Sequence, residues 1–413
     1  MAGPSNPVGD NALMAMVHGH GHGDVEAPVD PHTRRALLAA VAAVVVATLI
    51  GLVALWPGDD VPELSSELGA PAELVRGTIV SVEPVFCAGT PAEANVLCVE
   101  HRVRVTSGST KGETARFEGS DSGPIELEPG DRVVLGYSPE IPAPNNYYFA
   151  DFQRRTPMIW LALLFGVAVV VLGRWRGLRA LLGLAISVLV LVVFVLPAIL
   201  EGQSPLLVAI VGSAAIMLVA LYLAHGLSLM TTTAVLGTLA SLGLTALLAR
   251  LFVSAAQLTG FSTEEASILQ LSAEQVNIQG LILGGIVIGS LGVLDDVTVT
   301  QASAVAELRL ANPRYGFIDL YRSALRIGRD HIASTVNTLV LAYAGASLPL
   351  LILFRQASRN VSDVLTGEVV AVEIVRTLVG SIGLVASVPI TTALAAWVLS
   401  QHAEPQPADA AAG

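Results

Sequence analysis

Two adjacent carboxylates, Asp295 and Asp296, stand in the run GSLGVLDDVTVTQASAVAE between Gly289 and Glu307, with Thr298, Thr300, Gln301 and Ser303 close behind them. They follow an apolar, glycine-spaced stretch. Acids at membrane depth are costly, and where they occur they face a bundle interior or a water-filled cavity. Their oxygens, joined by the threonine hydroxyls, suit a hard cation such as sodium, magnesium or calcium, or a proton relay. At about 100° per residue, Gly285, Gly289, Gly292, Asp296, Thr300, Ser303 and Glu307 fall on one helical stripe. Gly280 with Gly284, and Gly285 with Gly289, repeat the small-xxx-small spacing that lets helices approach. A helix ending at the two aspartates would set them beside its negative dipole end. Either the helix continues into the cytoplasm, or it breaks and one aspartate caps a new helix, as in the ion sites of many transporters. A solvated acidic pair at an interfacial turn is the plainer alternative. The length of the preceding run puts the pair near the inner boundary of the bilayer.

Further polar groups fall in later apolar stretches. Asp330, His331, Ser334, Thr335, Asn337 and Thr338 begin one of them, and Asn337 lies too deep to be merely interfacial. Hydroxyls and amides there also serve as plain interhelical hydrogen bonds, and His331 reads either as a pathway group or as a structural one. Glu373 and Arg376 are helical neighbours and read as an ion pair at an outer mouth. Thr391 and Thr392 follow Pro389, a candidate kink. Near the N-terminus, His18, His20 and His22 form HGHGH, a weak candidate for zinc, nickel or copper that lacks the further ligands of a closed site.

The elements that carry these groups follow from composition. The 413 residues are 53% hydrophobic and 14% charged, with a mean hydropathy of +0.67, which marks an integral membrane protein. A net charge of -12 argues against nucleic acid as a partner. Residues 1–33 are polar and aperiodic and read as a disordered cytoplasmic tail. Arg34 and Arg35 precede Ala36–Trp56, a retained membrane anchor with its N-terminus inside.

Residues 57–156 turn polar and β-branched. Val75–Val82, Leu97–Thr106, Thr114–Phe117 and Arg132–Tyr137 read as strands of a small extracytoplasmic barrel or sandwich. Cys87 and Cys98, the only cysteines, are expected to form a disulfide in that oxidising compartment, with two buried free thiols as the alternative. The run NNYYFADF reads as an aromatic belt where the chain re-enters the bilayer.

Residues 157–399 form the membrane domain. Its spans are Pro157–Leu172, Ala180–Leu200, Leu206–Ala224, Thr231–Val253, Ile278–Leu294, His331–Phe354 and one within Val369–Leu399. With the anchor they make a mainly α polytopic protein of about eight transmembrane helices. Arg174, Arg176 and Arg179, and later Arg309, Arg314, Arg322, Arg326 and Arg329, mark cytoplasmic segments, whereas Arg154 and Arg155 on the outer side run against the charge rule. Residues 400–413 return as a disordered tail. Both termini are therefore expected in the cytoplasm of a bacterial cell, the protein lying in the plasma membrane.

The chain holds no P-loop, HExxH, GxSxG or cysteine-rich metal motif, so neither an enzyme nor a cofactor is expected. The segments RGLRALLGLAISVLVLVVFVLPAILEGQSP, GSLGVLDDVTVTQASAVAELRLANP, HIASTVNTLVLAYAGASLPLL and GSIGLVASVPITT resemble those shared by YibE/F-like multi-pass bacterial membrane proteins, over roughly Val75 to Leu399. The resemblance implies a β-rich outer domain followed by a helical membrane domain. It also implies that Asp295, Asp296, Thr298, Thr300, Gln301, His331 and Asn337 are motif positions. The function expected is a secondary transporter or permease of a small ion or solute, its polar site near the cytoplasmic ends of transmembrane helices 6 and 7. The alternative is a non-transporting envelope protein whose outer domain binds a partner protein while the helices anchor it in the lipid bilayer.

Overall fold

The computed structural model describes residues 30–58, 73–87, 97–120, 125–142, 145–356 and 360–401. Both predicted tails, with His18, His20 and His22, lie outside them. The chain divides into two compact units, one holding 57–203 and 263–278, the other the remaining helices.

In the first unit, β1 (Glu73–Phe86), β2 (Leu97–Val105), β3 (Thr114–Ser120), β4 (Arg132–Tyr137) and β5 (Tyr147–Phe152) form one antiparallel sheet in the order β3-β2-β1-β4-β5. Alternation drives it: Val75, Ile79, Val103, Val105, Val133 and Leu135 all point to one buried face. The sheet curls until Phe117 of β3 and Phe149 of β5 stand 6.5 Å apart between ring centroids. The curl stops short of a closed barrel, since β3 and β5 are the two free ends of the order. The aromatic run NNYYFADF is largely the edge strand β5, and its Tyr147 is buried in the sheet core. Cys87 and Cys98 form a disulfide, with Cα atoms 5.0 Å apart, across the β1–β2 connection.

After the sheet, Arg155–Leu200 is helical throughout, as α2 (Arg155–Val190), a π-helical turn at Leu191–Val195, and α3 (Leu196–Leu200). It is nevertheless a hairpin. Arg174 adopts φ 51° and ψ −130°, and a Cβ built on Gly166 would sit 4.0 Å from the Leu181 side chain. In an unbroken helix those two residues would lie about 22 Å apart. Gly177 meets the Val169 carbonyl so closely that no side chain fits there. The predicted loop is thus a reversal at Arg174, and Trp175 to Arg179 already belong to the returning arm. The short α6 (Glu264–Ser272) completes this unit.

The second unit packs α1 (Pro31–Ala54), α4 (Pro205–His225), α5 (Leu229–Ala255), α7 (Ile278–Ala311), α8 (Phe317–Ala346), α9 (Leu348–Gln356), α10 (Val361–Thr366) and α11 (Glu368–Ser400). By length and apolarity, six segments of the described chain can cross a membrane: α1, Arg155–Leu200, α4, α5, α7 and α11. The predicted span His331–Phe354 differs most. Its helix starts earlier, at Phe317, and ends at Ala346, because Pro349 cannot continue it and instead falls in the first turn of α9.

Small residues fix the register of this bundle. A Cβ on Gly237 of α5 would collide with Thr391 of α11, and one on Gly383 of α11 with Thr245 of α5, so the two helices touch antiparallel at matched positions. At one end of the bundle Asp30 donates its N–H to the Gln401 carbonyl at 3.0 Å, which puts the start of α1 beside the end of α11. At the other end the Glu368 carboxylate accepts the backbone N–H groups of Thr259 and Gly260, each at 2.6 Å, and the Thr259 hydroxyl at 2.9 Å.

Candidate functional site

α7 does not break at its aspartates. It runs 34 residues from Ile278 to Ala311, and Asp295 and Asp296 lie near its middle. Of the two alternatives open in the sequence, the continuous helix is the one adopted, so neither aspartate caps a helix.

Continuity separates the two neighbours, because successive side chains on a helix point about 100° apart. Along the stripe Asp296, Thr300 and Glu307 are exposed and Ser303 is half-buried, while Gly285 and Gly289, exposed themselves, are approached by the Arg376 and Tyr343 side chains. Asp295 turns inward and is only partly exposed; its Oδ1 is buried and has no hydrogen-bond partner among the described residues. Thr300 spends its hydroxyl on its own helix, donating to the Asp296 carbonyl at 2.8 Å.

Inward of the stripe, Thr298 is fully buried and shares a 2.6 Å hydrogen bond with Thr238 of α5. Gln301 is also buried; its Nε2 donates to the Ala324 carbonyl of α8 at 2.8 Å. Its amide lies over Gly328, where a Cβ would come within 2.7 Å of Oε1. At the other end of the same interface, Tyr343 of α8 brings its hydroxyl to 3.2 Å from a Cβ position on Gly289. α7 and α8 are therefore antiparallel, pinned at Gln301–Ala324 and at Gly289–Tyr343.

Asp295 is midway between those pins on α7, which sets it level with the His331 to Val336 stretch of α8. Ile332 and Val336 pack into the same apolar cluster as Leu294 and Val297. His331 and Thr335 border them, both half-buried, and His331 Nε2 is buried without a hydrogen-bond partner among the described residues. The Thr335 hydroxyl donates to the His331 carbonyl at 2.9 Å. Asn337 is not brought to this interface: with Ser334 and Thr338 it occupies the exposed side of α8.

The height of the site follows from Thr238, which lies well inside the 27-residue α5. One turn from Thr298, about 5 Å along the axis, Asp295 is level with Ser241, close to the midpoint of α5. The carboxyl therefore stands level with the middle of α5.

Glu373 and Arg376 form an ion pair at 2.7 Å, each side chain 28% exposed. The Arg376 guanidinium reaches to 3.7 Å from a Cβ position on Gly285, so the pair lies beside the N-terminal part of α7. Sequence reasoning missed the hydroxyl face of α5. Thr238, Ser241 and Thr245 are all buried and donate within α5 to the carbonyls of Ala234, Gly237 and Ser241. Their three- and four-residue spacing beside Gly237 was the available signal. Among the described residues, no group of three or more His, Cys, Asp or Glu could hold a metal ion.

The family model described as YibE/F-like protein matches residues 161–401, and the chain belongs to that family. The match covers the helices after the start of α2 and leaves the sheet outside it. No curated protein and no solved structure matches the chain.

Proposed function

We propose that this YibE/F-like chain is a secondary transporter whose proton-carrying group is Asp295. One observation carries the reading: a carboxyl oxygen is buried without a partner in an apolar helical bundle, level with the middle of α5, and unpaired carboxyls at such depth serve transport or proton relay. His331 and the Thr238–Thr298 hydroxyls supply exchange partners at neighbouring levels of α8 and α5. One buried carboxyl with scattered hydroxyls suits a proton better than a metal, which needs several oxygens in one shell. In this reading the Arg155–Leu200 hairpin crosses the bilayer twice and α8 crosses it too. That gives about eight crossings, with both termini on the cytoplasmic side of a bacterial plasma membrane.

The test is flux in reconstituted liposomes, followed with a pH-sensitive dye under imposed proton and cation gradients. Asp295→Asn is expected to lower proton-coupled flux at least about tenfold, and the exposed Asp296→Asn to leave it within about twofold. Equal flux from wild type and Asp295→Asn would remove the carboxyl from the pathway. The partner-binding alternative would then lead, in which the sheet acts and the helices anchor it.

A further inference from the structure

Arg154 and Arg155, the two arginines that oppose the charge rule, do not stand alone. Arg76 of β1 and Arg132 of β4 lie on the face of the sheet opposite its core, in adjoining register: Arg76 is opposite Val134, and Arg132 opposite Thr78. Gln153 ties the chain across these two strands. Its Nε2 donates to the Gly77 carbonyl at 3.0 Å and to the Val133 carbonyl at 2.8 Å, and its own N–H donates to the Arg132 carbonyl at 2.8 Å. The next residues, Arg154 to Pro157, are thereby laid against Arg76 and Arg132. Together they enclose a cleft of about 560 Å3.

Four guanidinium groups line this cleft. Asp151 pairs with Arg154, whose guanidinium also lies 5.7 Å over the Phe152 ring. Arg76, Arg132 and Arg155 have no ion pair among the described residues. The cleft thus carries uncompensated positive charge in a protein whose net charge is -12. The Thr156 hydroxyl and the first free amides of α2 add donors at the same edge, where the helix dipole also favours an anion. The chain then turns apolar at once: Trp160, Leu161 and Leu164 are each more than 65% exposed, as a lipid-facing helix requires.

We propose that this cleft binds a phosphate group at the membrane surface, supplied by the headgroup of an anionic phospholipid. Planar, forked guanidinium groups match phosphate oxygens in pairs, which distinguishes such a site from a diffuse basic patch. The position just before the exposed apolar turns of α2 places the phosphate at headgroup level with its acyl chains alongside the helix. Arginines on the outer side are explained as ligands rather than as topology signals.

The full-length protein is to be purified into phosphatidylcholine nanodiscs and given either phosphatidylglycerol in the bilayer or inorganic phosphate in solution, with retained ligand read by native mass spectrometry. Wild type is expected to retain phosphatidylglycerol, and Arg132→Gln with Arg155→Gln to retain it about tenfold less. Retention of inorganic phosphate alone, lost in the same variant, would support the cleft and assign its phosphate to solution. Arg102→Gln, which removes a sheet arginine outside the cleft, controls for general charge. Equal loss from Arg102→Gln, or undiminished retention by the double variant, would overturn the proposal. An intact Cys87–Cys98 disulfide and unchanged circular dichroism in each variant show that the sheet has folded.

Discussion

Thr298 of α7 and Thr238 of α5 meet in a 2.6 Å hydrogen bond between two fully buried hydroxyls. Each hydroxyl also has a carbonyl of its own helix within reach, Ala234 for Thr238 and Asp295 for Thr298, so removing one partner loses the bond between them without stranding the other. Thr298→Val alone is expected to destabilise the bundle by about 0.5 to 1.5 kcal/mol, and Thr238→Val with Thr298→Val by distinctly less than the two single effects added. Denaturant unfolding of the four proteins in one detergent measures the coupling. Strict additivity would show that the bond contributes nothing.

The contact between α5 and α11 leaves no room at Gly383. Gly383→Ala would place a methyl against Thr245 and cost about 1 to 3 kcal/mol by overpacking. Adding Thr245→Ala empties the opposing space and is expected to restore most of the loss, read as melting temperature in detergent.

Acid should loosen the sheet through His101, whose ring stacks on Phe117 at 4.8 Å between centroids. Burial pulls its pKa below the ordinary 6.5, with backbone hydrogen bonds to Phe117 and Val99 opposing in part. The unfolded chain therefore binds a proton more readily than the folded one. The contribution is complete above pH 6.5 and is lost as pH falls from there to the depressed folded value. Protection factors of β2 and β3 amides in the full chain, taken relative to the intrinsic exchange rate at each pH, should fall across that window. In His101→Phe this component of the acid response should be absent.

The disulfide closes a short loop, with Cys87 and Cys98 separated by 11 positions. Its removal by Cys87→Ser with Cys98→Ser is expected to cost about 3 kcal/mol through the greater freedom of the unfolded chain. Thermal unfolding with and without reductant checks it: reductant should lower the midpoint of wild type and leave the variant unchanged.

Much of the architecture was legible because it rests on runs and alternations. The apolar stretches gave the helices, and Val75, Val103 and Val133 alternate in a way that only a half-buried strand explains. Strand β5 was not foreseen because Tyr147, Tyr148 and Phe149 suit a membrane interface as well as a sheet, and only pairing with β4 shows the strand. The dipole reasoning about Asp295 and Asp296 correctly refused a helix end there. Which aspartate turns inward was beyond it, since both have apolar neighbours and differ only in rotation about one axis. Asn337 posed the same difficulty on α8. That the pair would fall near the middle of a 34-residue helix was not legible either, because α7 extends well past the bilayer-length run that the sequence displays.

The end contacts of α11 bear on how such a bundle can move. Glu368 is clasped by Thr259 and Gly260 at one end, and beyond the other Gln401 holds Asp30. Between them, Thr245 and Thr391 sit opposite glycines like pegs in notches. Sliding α11 along its axis would break both end contacts and unseat both pegs together. The α5–α11 contact is therefore held against axial sliding at both ends of α11 and at two points between them.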